Sequence, residues 1–208
     1  MLFRGVFHCR TKASAASLVS SVSAAFAGTE DFFSGILAKA AAERKLRDFL
    51  ENTVKARKSL TDGDGSSFFI LISRLENAAA YALQAVTDFE GAAPESRRFA
   101  AQAAGFLRRG ALETAALLKG GNPDRHAAAV RKSCTEAGKT CVLAFKTLPA
   151  ENAASLSGMR DEKVFRYLSD CAASLASCAE PALAISEKNE KSEVRSMKYE
   201  EKKHTERK

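Results

Sequence analysis

Residues 66–86 read SSFFILISRLENAAAYALQAV. In this stretch and just past it, Phe68, Ile72, Leu75, Ala79, Ala82, Val86 and Phe89 recur at steps of four and three. An α-helix turns once every 3.6 residues, so these positions share one face. Such a face must be covered by other apolar faces, and repeated steps of four and three form the seam of a helix bundle. Ser66 or Ser67 can cap the helix, because a hydroxyl oxygen accepts a hydrogen bond from a free N–H of the first turn. TDGDG at 61–65 breaks the chain ahead of it. The partial likeness of DGDG to a calcium loop lacks the remaining ligands and the closing Glu, so it is read as a turn.

The pattern extends in both directions. Upstream, a second helix is expected from about Glu30 to Ser59, with Phe32, Phe33, Ile36, Leu46, Phe49, Leu50 and Val54 as its apolar set. Before it, Leu18, Val22 and Ala25 suggest a first helix. Downstream, EGAAPE at 90–95 ends the third helix. Pro94 then fits a first helical turn, where no N–H is missed, and Glu95 suits the positive end of the helix dipole. The fourth helix runs to about Lys119 and carries Phe99, Phe106, Leu112 and Leu117. GGNPD at 120–124 is a stop and a restart, with Asn122 as cap and Pro123 as opener.

A fifth helix places Ala127, Val130, Cys134, Ala137, Cys141, Ala144 and Leu148 on one face. LPAENAASLSG at 148–158 reads as a loop. A sixth helix carries Val164, Leu168, Cys171, Leu175, Cys178, Ala182 and Ile185, and Pro181 should open its hydrogen-bond ladder. The expected fold is all-α: an antiparallel bundle of about six helices in one domain over residues 1–188. Residues 189–208, dense in both charges, are expected to form a disordered or frayed helical tail.

Two features bear on location. No run of 18 apolar residues occurs, so no transmembrane helix is expected. The first acidic residue is Glu30, and Arg4, Arg10 and Lys12 precede a weakly apolar stretch that ends in A-x-A at Ala25 and Ala27. A signal or transit peptide over residues 1–27 would mean export. The helical stripe favours a first bundle helix and a cytoplasmic protein.

The four paired cysteines all fall on seam positions. Cys134 and Cys141 are seven residues apart, as are Cys171 and Cys178. Seven helical residues span about 10.5 Å, whereas the sulfurs around one zinc ion must all lie about 2.3 Å from it. One four-cysteine site is therefore excluded. In an antiparallel hairpin, one register would set Cys134 opposite Cys178 and Cys141 opposite Cys171. Free cysteine is a small apolar core residue, and that is the first reading. Thiol-redox or metal handling is the alternative, and Cys9 has no evident partner.

Other chemistry is sparse. No phosphate-loop, dinucleotide, nucleophile-elbow or H-E-x-x-H motif occurs. His8, His126 and His204 have no carboxylate or cysteine arrangement in sequence around them, and each reads as a surface residue. The net charge of +7 suits a nucleic acid, anionic lipid or phosphate-bearing partner, although a solvated surface is its ordinary meaning. Arg97, Arg98, Arg108 and Arg109 on the fourth helix, with Arg125, Arg131 and Lys132 on the fifth, form a candidate basic face. No aromatic residues interleave with it and no nucleic-acid motif accompanies it, so nucleic acid is not expected as a partner.

Six helices in this order suggest two three-helix units, and the order resembles the PhoU-like family of phosphate-transport accessory proteins over roughly residues 12–188. SSFFILISRLENAAAYALQAV is similar to that family's third helix, with Leu75, Glu76, Asn77 and Tyr81 near its centre. CTEAGKTCVLAFKTL at 134–148 is similar to the corresponding helix of the second repeat. EKVFRYLSDCAASLASC at 162–178 is similar to the last helix. The family carries carboxylates four residues apart that hold metal ions. Here Glu76, Glu136 and Asp170 are followed four residues later by Ala80, Thr140 and Ser174, so they are only remnants of that motif. The resemblance implies a non-enzymatic protein without cofactor. It would regulate phosphate uptake by binding a transporter or signalling protein, and would sit near the membrane through that partner. A generic scaffold that homo-oligomerises, with no link to phosphate, is the alternative.

Overall fold

A computed structural model describes residues 17–18, 21–58, 66–89, 94–119, 122–147 and 156–187, with 156–160 described as backbone alone. The protein is all-α, and no strand occurs among the described residues. Helix α1 covers residues 21–33, with Ser17 and Leu18 also helical. It is followed by α2 (Lys39–Lys58), α3 (Ser66–Asp88), α4 (Pro94–Lys119), α5 (Pro123–Thr147) and α6 (Leu156–Ala176). A short α7 covers residues 179–187.

Side-chain contacts fix the directions. Phe89 at the end of α3 packs edge-on against Phe32 and Phe33 at the end of α1, with ring centroids 5.8 and 5.2 Å away, so α1 and α3 run the same way. Ser96 at the start of α4 bonds Asp161 near the start of α6, so these two are also parallel. Glu113 late in α4 meets His126 early in α5, which makes that pair antiparallel. The most extensive helix contact is α4 on α5, and α6 packs on α3, α4 and α5. Helix α6 therefore ties α3 to α4 and α5, and buried apolar residues from every described helix form one contiguous cluster.

The third-helix stripe is buried throughout, from Phe68 to Phe89. Leu71, Ala78 and Ala85 are buried as well, because α3 is covered on two sides, by α2 and α6. On α4 the buried face sets Phe99, Leu107 and Leu117 among small residues: Ala100, Ala103, Ala104, Gly110, Ala111 and Ala115. Small side chains let helix axes approach toward the lower end of the usual 8–10 Å range.

Several expectations need correction. Glu30, Asp31, Phe32 and Phe33 belong to the first helix, not the second. The break falls at Ser34 and Gly35, where Gly35 has φ of 77°. Its N–H donates to the Phe32 carbonyl at 3.0 Å, and the Ile36 N–H donates to the Asp31 carbonyl at 2.8 Å. This paired closure of a helix C-terminus needs a left-handed residue, which glycine adopts without a Cβ clash. The turn leaves Ile36 77% exposed, and Val54 and Leu112 are also exposed instead of in the core. Helix α6 starts at Leu156, inside the stretch read as loop.

Other readings hold. Asn122 caps α5, accepting from the Arg125 N–H at 3.1 Å. Leu18, Val22 and Ala25 are buried, as a bundle helix requires. At Pro181 the ladder opens three to four residues upstream, at Ser177 and Cys178, and helix resumes at residue 179. Proline has no N–H for the Ser177 carbonyl. The TDGDG turn, His8, Cys9, His204, Leu148, residues 1–16 of the leader reading and the tail at 189–208 lie outside the described residues.

Candidate functional site

The four paired cysteines lie on the seam positions of α5 and of the segment spanning α6 and the turn after it. Cys134, Cys141, Cys171 and Cys178 are all reduced and at most 3% exposed. Phe145 of α5 packs on Phe165 of α6 with centroids 6.0 Å apart, which sets the two helices face to face at the hairpin's closed end. Cys171 lies near Cys134, Cys141 and Cys178, and Cys178 near Cys134, so the four lie in one region of the core. Burial pushes Cys134 and Cys141 up to about 12, and raises Cys171 and Cys178 as well. The thiolate is the reactive species, and burial suppresses it here. Cys178 donates weakly to the Ser174 carbonyl at 3.5 Å, as a core thiol does beside an opened helical turn.

The candidate basic face is divided by α4. Arg97 and Arg108 turn toward α1: Arg97 donates to the Phe32 carbonyl at 3.4 Å and covers the Phe89 ring, and Arg108 pairs with Glu30 at 2.8 Å. They hold the corner of the bundle together. Arg98 and Arg109 lie exposed on another side of α4, over the rings of Phe99 and Phe106. Arg131 and Lys132 are exposed on α5. Arg125 is exposed on α5 too, so the cations make two groups: Arg97 and Arg108, part-exposed and engaged with α1 and its corner, and the exposed remainder.

The acidic remnants do not converge. Glu76 pairs with Arg57, Glu136 pairs with Lys139 at 2.8 Å, and Asp170 is exposed. They sit on α3, α5 and α6, and among the described residues no three His, Cys, Asp or Glu side chains could hold a metal ion.

Three polar contacts escaped the sequence reading. Ser96 donates to Asp161 at 2.7 Å in a buried pair, and burial raises Asp161 above the usual carboxylate range. His126 Nδ1 lies 2.6 Å from Glu113 Oε2, so this histidine does have a carboxylate beside it. Arg57 reaches Ser73 and Glu76 and covers Phe69. Each contact crosses a helix interface, and no spacing along the chain signals it. Asp161 is 6% exposed.

Apolar side chains outside the core complete the surface. Val54, Phe69 and Ile70 are about half exposed at the α2–α3 end, and Val142, Leu143 and Phe145 are 38–50% exposed on α5. Compared with family models, curated proteins and solved structures, the chain gives no match.

Proposed function

We propose that the protein is a non-enzymatic helical accessory protein that works through contacts with partners, and that its partner belongs to a phosphate-uptake system. The observation that carries the first half is the placement of chemistry. The thiols and Asp161 are enclosed in the core, whereas large apolar side chains and cations are displayed on the outside. Clustered exposed apolar residues mark interaction surfaces. The phosphate half rests on the resemblance of the third, fifth and sixth helices to the PhoU-like family.

The test is phosphate uptake in cells lacking the protein, at high and low external phosphate. Uptake that no longer responds to supply, and recovers with the intact gene, is the expected result. Unchanged uptake at both levels refutes the phosphate half and leaves the oligomerising scaffold. No reading through the cysteine pairs is carried forward, because burial disfavours the thiolate it would need.

A further inference from the structure

The solvent face of α5 combines charge and apolarity in a way the bundle does not use. At about 100° per residue, Arg131, Lys132, Lys139, Val142, Leu143 and Lys146 fall within about one third of the helix circumference. The buried positions Ala127, Val130, Cys134, Ala137, Cys141 and Ala144 occupy the opposite side. Among the described residues no carboxylate pairs with Arg131, Lys132 or Lys146, and Lys139 alone holds Glu136. The contacts of Glu113 with His126, and of Gly110 with Cys134, set the α4–α5 register. That register brings exposed Arg109 level with Arg131 and Lys132, and exposed Arg98 level with Leu143 and Lys146. A Cβ on Gly138 would meet nothing within 4 Å, so the adjoining surface is open.

We propose that this face docks reversibly on an anionic lipid surface. Charge decides the occupant. A second copy of the same face would bring cations against cations, and a neutral partner would leave at least three of them without a counter-charge. The face is a convex ridge about 22 Å long, from Arg131 to Lys146. Cations run along its whole length, with apolar side chains near one end. Lysine and arginine stems extend past such apolar groups to reach lipid headgroups while Val142 and Leu143 enter the interface. The inference is independent of the phosphate reading, because lipid binding is measured on vesicles without any partner.

The experiment is co-sedimentation of the full chain with vesicles of equal parts phosphatidylglycerol and phosphatidylcholine, against phosphatidylcholine alone. Binding to the anionic vesicles only, lost as salt shortens the Debye length from about 10 Å at 0.1 M toward 3 Å at 1 M, is expected. Arg131→Gln with Lys132→Gln should lower the partition coefficient about five-fold per cation. Leu143→Asp should lower it further, with helical content unchanged because the side chain is half exposed. Ile70→Asp, in the other apolar patch, should leave it unaltered. No binding to anionic vesicles overturns the proposal and points to an acidic protein partner. Equal binding to neutral vesicles, or equal loss in Ile70→Asp, overturns it too.

Discussion

Two glycines in the middle of helices should respond in opposite directions to the same substitution. Gly110 lies in α4 where α5 and α6 meet it. A Cβ there would come 3.1 Å from Leu175 Cδ2 and 3.2 Å from Cys134 Sγ. Leu175 and Cys134 are 0% and 3% exposed, so neither has free space to retreat into. Alanine gains about 1 kcal/mol of helix propensity over glycine, but an extra carbon in a filled core costs about 1–3 kcal/mol. Gly110→Ala should therefore destabilise by about 1 kcal/mol. Gly138 in α5 has nothing within 4 Å of its Cβ, so Gly138→Ala should stabilise by about 0.5–1 kcal/mol. The gap between the variants, about 2 kcal/mol, corresponds to about 4–8 °C in Tm for a chain of this size. Urea unfolding followed by circular dichroism gives the free energies, with an unchanged slope confirming that the same transition is compared. Removing the sulfur should relieve the crowding, so Cys134→Ala should couple favourably to Gly110→Ala by at least about 0.5 kcal/mol. If Gly110→Ala stabilises as much as Gly138→Ala, the three-helix junction is not closely packed and the reasoning fails.

Three further outcomes follow from the geometry. Gly35→Ala should cost about 1 kcal/mol, because φ of 77° strains any residue with a Cβ; a neutral result in thermal unfolding would mean that the α1–α2 corner closes differently. Cys134 and Cys141 keep their protons to about pH 12 in the fold but would lose them near 9 when unfolded, so unfolding free energy should fall by about 1.4 kcal/mol per pH unit for each thiol across that range. Alkaline denaturation curves of Cys→Ala variants should be flatter, and unaltered slopes would contradict the burial. For the Ser96–Asp161 pair, Ser96→Ala should destabilise by about 1–3 kcal/mol at neutral pH, since it leaves an enclosed carboxylate without its donor. The raised Asp161 favours the protonated form in the fold, so that deficit should shrink as pH falls through the carboxylate range; a deficit constant with pH would rule out the ionised pair.

The candidate surface was only partly legible in the chain. Arg97, Arg98, Arg108 and Arg109 look equivalent in sequence because two adjacent pairs repeat at helical spacing. They separate only when α1 packs on one flank of α4, with Glu30 and the Phe32 carbonyl claiming Arg108 and Arg97. The contact of His126 with Glu113 is likewise formed by the meeting of α4 and α5.

The sequence by itself determined the helices and most of their buried faces. Steps of three and four from Phe68 to Phe89, a capping Asn122, and Pro94, Pro123 and Pro181 act over one or two turns of chain, and each does locally what its chemistry dictates. Tertiary structure decided what depends on neighbours distant in sequence. It brought Phe32 and Phe33, read as part of the second helix, to the end of the first, where they pack on Phe89. It also exposed Val54 and Leu112, which carry the same apolar chemistry as their buried neighbours. Hydrophobic periodicity marks which side of a helix is able to be covered, and only the positions of the other helices decide which side is covered.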